Sequence, residues 1–134
     1  MPVRAVVDTH TVIWYMHGNP RLSQTARSAI ADIELAGYQI GVSAITLAEI
    51  VYLIEKERIP DTTYGQVMAL LQRVNALLVE IPIDHQVVDA MRQIERKSVP
   101  DMPDRLIAAT ALFLGVPVIS RDGKIRLSTV ATIW

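Results

Sequence analysis

An α/β fold is predicted for this chain: a three-layer sandwich with a mainly parallel central sheet flanked by helices. Three observations predict it. Short β-branched runs such as Val3 to Val7 and Val116 to Ile119 lack the polar alternation of a half-exposed strand, so they read as strands buried on both faces. They alternate with longer segments of helical period, in the order β, α, α, β, α, α, β, α, α, β and a last β. The 51% hydrophobic content and mean hydropathy of +0.29 suit a sheet covered on both sides. With 134 residues, and no linker, repeat or low-complexity stretch, the chain is expected to form one domain over residues 1–134.

Val3 to Val7 is the first strand, and it stops at a carboxylate, Asp8. A short helix follows from Thr11 to His17, broken by Gly18-Asn19-Pro20. Ser23 caps a second helix through about Ala36, with Gly37 closing it. Tyr38 to Val42 is the next strand. Ser43 caps a helix that lasts to Ile59-Pro60. Another helix, about Thr63 to Leu77, precedes the strand Val79 to Ile83, and its apolar positions are expected to serve the core before any dimer seam. Asp84 starts a helix to about Lys97, and Thr129 to Trp134 reads as the last strand.

The stretch Asp101 to Asp122 orders the rest. Asp101 sits at an N-cap, Pro103 in the first turn and Asp104 at the third helical position. The helix that follows is apolar on nearly every side and must be buried. Gly115 ends it, and Val116 to Ile119 runs as a strand into Ser120-Arg121-Asp122. In parallel sheets, ligands bind beyond the carboxyl ends of the strands, which is where Asp122 lies.

The bulk numbers exclude some classes. The longest uncharged apolar run, Leu106 to Ile119, is interrupted and too short for a membrane span. The N-terminal MPVRAVVDTH lacks the features of a signal peptide, and the absence of cysteine removes disulfide and thiolate-metal chemistry and fits a reducing cytoplasm. Net charge is −1, so composition does not announce a nucleic-acid partner. With four acids set aside as a site, 13 basic residues face 10 acids, an excess of +3 that an ordinary mixed surface also explains.

Four acids stand in apolar surroundings. Asp8 is the only charged residue between Ala5 and Met16, and Glu49 the only one between Val42 and Ile54. Asp104 is followed by Arg105 and then by no charge until Arg121, beside Asp122. Each has an ordinary explanation when taken singly: a strand end, a solvent-facing helix residue, a helix cap, a turn. Their coincidence at strand ends and near helix starts points further. Gathered at one sheet edge they would repel one another and raise their own pKa values, a conflict that a divalent cation resolves. Hard oxygen donors without a His or Cys requirement suit one or two Mg²⁺ or Mn²⁺ ions.

Val6-Val7-Asp8-Thr9-His10, Ser43 to Glu49 (SAITLAE), Asp104 to Ala111 (DRLIAATA) and Val118 to Asp122 (VISRD) resemble, in this order, the successive motifs of the PIN domain. Within that family the chain is most similar to the VapC-type toxins. Two departures are visible: Asp101-Met102-Pro103-Asp104 shifts the proline of a common Asp-Pro-x-Asp by one residue, and His10 stands where Asn or Ser is frequent. The resemblance implies a metal-dependent endoribonuclease with Asp8, Glu49, Asp104 and Asp122 as catalytic and metal-binding acids. It also implies an RNA substrate, a homodimer and a small antitoxin partner. Thr9 and Ser120 match positions where the family places a small hydroxyl beside the acids. Arg121, Lys124 and Arg126 follow the last motif and are candidate RNA phosphate contacts, with a solvated basic turn as their ordinary reading. His10 is expected to be structural.

Rival readings are separable. A receiver domain needs adjacent acids after the first strand, and a haloacid-dehalogenase-type phosphatase needs Asp-x-Asp there; Asp8-Thr9-His10 offers neither. A catalytically inactive PIN-fold module that binds RNA or protein is the remaining alternative, disfavoured by the presence of all four acids.

Overall fold

Residues 3–7 form β1 (Val3–Val7), in which Ala5, Val6 and Val7 are all buried, so the strand is covered on both faces. The computed structural model describes residues 2–126 and 130–134, except for the side chain of Arg126. With β2 (Gln39–Ser43), β3 (Leu78–Ile81), β4 (Val118–Ile119) and β5 (Thr132–Ile133), β1 builds a sheet of order β3-β2-β1-β4-β5, every neighbouring pair parallel. Val7 is level with Val42 on one side and Ile119 on the other. The next residue on each strand is Asp8, Ser43 and Ser120, so the register sets these three side by side at the carboxyl edge.

The strand order reverses between β1 and β4. Right-handed crossovers that travel one way along a sheet leave their helices on one face, and a crossover in the other direction uses the opposite face. Accordingly α1 (Thr9–His17), α2 (Gln24–Leu35), α3 (Ala44–Glu55) and α4 (Thr63–Leu71) send Ile13, Ile30, Ile50 and Val67 onto the face bearing Ala5, Val7 and Val42. On the other face, α5 (His85–Met91), α6 (Met102–Leu114) and α7 (Gly123–Arg126) bring Val87, Ile107 and Ile125 against Val6 and Val118. Gly41 lets this layer close down: a Cβ there would stand 2.9 Å from Ile81 Cγ1 and 3.4 Å from Val6 Cγ2.

The three-layer parallel architecture is as expected, and its boundaries differ in informative ways. Thr9 and His10 are already helical, because Asp8 itself is the cap. The helix after Ser43 stops at Glu55, closed by Glu57 in the left-handed region (φ 56°) and by Arg58 N donating to Leu53 O at 2.9 Å. The helix expected to reach Leu77 ends at Leu71. Asn75, at φ 54°, turns the chain so that Leu77 O can accept from Ile40 N at 2.8 Å; Asn tolerates that conformation better than most residues.

The helix expected to reach Lys97 ends at Met91, and Arg105 Nη2 donates to Met91 O (3.0 Å) and Ile94 O (2.8 Å), serving carbonyls that a longer helix would have bonded. The strands shift slightly as well: β2 begins at Gln39 and includes Ser43, and β3 runs from Leu78 and stops before Pro82. β4 shortens to Val118–Ile119 because Val116 N still bonds Ala111 O of the preceding helix. The short α7 was not expected; it is the crossover that makes β5 parallel to β4. The expected last strand shrinks to Thr132–Ile133, and its proposed start, Thr129, lies outside the described residues. No helix among the described residues is long and apolar enough to cross a membrane.

Candidate active site

Asp8 ends β1 and caps α1, which fixes both of its oxygens. Oδ1 accepts from Thr11 N at 3.0 Å and Oδ2 from the Ser120 hydroxyl at 2.5 Å. Ser120, fully buried at the end of β4, also accepts from Asp122 N at 2.9 Å. Asp122 in turn uses Oδ1 to accept from Lys124 N (2.8 Å) and Ile125 N (3.0 Å), capping α7. One hydroxyl therefore ties the first acid to the backbone of the last.

Glu49 lies in α3, one turn after Thr46. Thr9 Oγ1 is 2.5 Å from Glu49 Oε1 and 3.2 Å from Thr46 Oγ1. A hydroxyl carries a single proton, and a carboxylate only accepts. Thr9 therefore donates to Glu49 and receives from Thr46, whose side chain is fully buried. Burial raises the Glu49 pKa; the Thr9 hydrogen bond opposes this, Asp101 and Asp8 add to it and His10 counters it.

Asp104 is the most perturbed group, pushed up to about 7 by burial first and then by Asp101, Asp122, Glu49 and Asp8. Asp101 caps α6 by accepting from Asp104 N at 3.1 Å, and it faces the same space.

The five acids Asp8, Glu49, Asp101, Asp104 and Asp122 line one cavity of about 450 Å³. Thr9 and Arg121 line it too, while Ser120 lies beneath it. Lys124 is exposed and not part of its wall, and the Arg126 side chain lies outside the described residues. His10 is exposed at the wall, its ring 5.7 Å from that of Trp14. In the sequence, Asp101 reads only as a cap; its place one turn before Asp104 was the available signal. Thr46 had the same kind of signal, at three residues before Glu49. Nothing in the pattern pointed to Trp14 or Arg21, which complete the wall.

The donor set is all oxygen, partly buried and mutually repelling, which fits a hard divalent cation. Among the described residues, however, no three Asp, Glu or His side chains are already arranged as a formed ion site.

The sequence matches the family model for the PIN domain over residues 5–130. Among known proteins, it is 28% identical over 121 residues to "Ribonuclease VapC22" of Mycobacterium tuberculosis (strain ATCC 25618 / H37Rv), covering 90% of this chain and 88% of that one. Two solved structures share the fold. One is VapBC2 from Rickettsia felis bound to a DNA fragment from its promoter, with a TM-score of 0.69 at 16% identity and 97% of each chain covered. The other is a toxin-antitoxin complex from Klebsiella pneumoniae, with a TM-score of 0.62 at 22% identity, covering 97% of this chain and 96% of that one.

Proposed function

The chain belongs to the PIN domain family, and from that premise we propose that it is a Mg²⁺- or Mn²⁺-dependent endoribonuclease, the toxin of a toxin–antitoxin pair. The observation that carries this is the convergence of five acids in one cavity, where burial first and then the surrounding acids push the Asp104 carboxyl up to about 7. The relative named as a ribonuclease and the neighbour named as a toxin-antitoxin complex point the same way. On this reading it acts on RNA in the cytoplasm, with a small antitoxin as partner and a homodimer as its assembly.

Asp8, Glu49, Asp104 and Asp122 are the residues that would hold one or two ions, with Asp101 close enough to add its charge. A divalent cation bound there supplies Lewis acidity toward the scissile phosphate and its leaving oxygen. The chain supplies the positioning. Ser120 and Thr11 N keep Asp8 in one orientation, so it meets its ligand without first surrendering rotamer freedom. Thr9, backed by Thr46, does the same for Glu49, whose second oxygen is left to orient the attacking water and take its proton.

The test is cleavage of a total-RNA pool by wild type and Asp104→Asn, purified identically, with Mg²⁺ or Mn²⁺ and with chelator. Metal-dependent cutting that the variant lacks is the expected result. Equal cutting by both would remove Asp104 from the mechanism. If neither cuts, a Mn²⁺ titration decides: no binding sinks the nuclease reading in favour of the non-catalytic module.

A further inference from the structure

The cavity of the five acids also carries two cations that do not pair with them. Arg121 Cζ lies 4.9 Å from the centroid of a Trp14 ring, and Arg21 Cζ lies 6.0 Å from it. Both arginines are exposed, both line the cavity of the five acids, and among the described residues neither guanidinium has a hydrogen bond or ion pair. Two free guanidinium groups next to a crowded acidic cluster would be expected to collapse onto it. The Trp14 ring offers an alternative seat, since a guanidinium stacks on an indole with its five donors still available. Trp14 is itself fixed: it is 8% exposed and packed against His10 and Trp134.

Size and charge indicate what this wall is for. A hydrated cation with six waters fills roughly 180 Å³ at about 30 Å³ per water, well under the cavity's 450 Å³ or so. The remaining space lies beside donors suited to phosphate oxygens. An RNA strand approaching the five carboxylates is repelled by them and attracted by the two guanidinium groups on the same cavity. Resting on the nuclease reading, we propose that Arg21 and Arg121, held against Trp14, form a phosphate clamp that seats phosphodiester groups of the RNA strand flanking the bond to be cut. The clamp sets the side from which the strand enters, and Arg21 joins the substrate-binding residues from the connection between α1 and α2.

The clamp is tested in chelator, where no cutting occurs, by fluorescence anisotropy of a short fluorescein-labelled single-stranded RNA of mixed sequence. Wild type, Arg21→Gln, Arg121→Gln, the double variant and Arg121→Lys are compared at several salt concentrations. Arg4→Gln is the control, because Arg4 also stacks on an aromatic ring, Tyr38 at 4.1 Å, but at the amino end of β1. Each single Gln variant is expected to weaken binding several-fold. The double variant should lower the slope of log affinity against log salt by about 1.4, at about 0.7 per lost single-strand phosphate contact. Arg121→Lys should keep the salt slope but bind more weakly. Unchanged melting temperatures would confirm folding, as expected for exposed side chains.

A double variant that binds with wild-type affinity and slope would overturn the clamp, as would an equal loss in Arg4→Gln or no RNA binding by wild type. Metal-dependent cutting, read separately on the same preparations, keeps the two readings apart. Cutting without the slope change removes the clamp alone, and a slope change with neither cutting nor Mn²⁺ binding removes the nuclease alone.

Discussion

The Ser120 hydroxyl donates to Asp8 Oδ2 at 2.5 Å, joining residues 112 positions apart in the chain across the β1–β4 switch point. The same oxygen accepts from Asp122 N. Ser120→Ala therefore strands two polar groups at once, one of them on a buried carboxylate. We expect a stability loss of about 1–3 kcal/mol, read from urea denaturation. A larger relative loss is expected in Mn²⁺ affinity, roughly ten-fold or more by calorimetry, as for other groups that orient metal ligands. Unchanged metal affinity would show that Asp8 keeps its orientation without the serine.

Asp104→Asn should behave oppositely in the metal-free protein. Its carboxyl is raised from an ordinary 3.8 to about 7 in the fold. Between those values the folded state holds a proton that the unfolded state has released, so this group costs stability progressively as pH rises from about 4 to 7. The asparagine variant escapes that cost. It should be more stable than wild type by about 1–2 kcal/mol at pH 8, after allowance for the site's contact with solvent, with the advantage vanishing near pH 4. Melting curves across this range check the sign; a gain that grows toward acid would refute it. Adding Mn²⁺ should raise the melting temperature of wild type more than that of the variant.

Thr9→Val removes the hydrogen bond that favours the charged form of Glu49. The Glu49 pKa should then rise further, visible in a carboxyl-carbon NMR titration of metal-free protein. Thr46→Val should produce a smaller change in the same direction, since it acts only by orienting Thr9, and Thr46→Ser should restore the wild-type titration.

Gly41→Ala probes the fold away from the site. Its new Cβ would meet Ile81 Cγ1 at 2.9 Å, closer than side-chain carbons approach. Because Ile81 is only half-buried on the edge strand β3, part of the clash can relax. A destabilisation of about 1–2 kcal/mol is expected, with metal binding unchanged.

Much of this was legible in the chain because buried parallel strands and capped helices advertise themselves locally. Asp8, Ser43 and Asp101 each end an apolar or turn segment as cap residues, so element starts could be read well. Element ends were harder. The helices beginning at Thr63 and His85 stop early because of partners elsewhere, Ile40 N for Leu77 O and Arg105 for the carbonyls of Met91 and Ile94. No local pattern carries such information. The four acids stood out as lone charges in apolar runs, whereas Asp101 hid behind its capping role and nothing in the pattern singled out Trp14. Thr46 stood one turn before Glu49, but its importance lies in whose proton goes where, which spacing alone does not show.

The spacing of the site along the chain has a consequence for folding. Asp8 and Ser120 are 112 positions apart, so the cluster assembles only once β1 and β4 have paired across a long loop, a late and entropically costly contact. A local opening at that pairing would take the centre apart while the helices on either face still hold together.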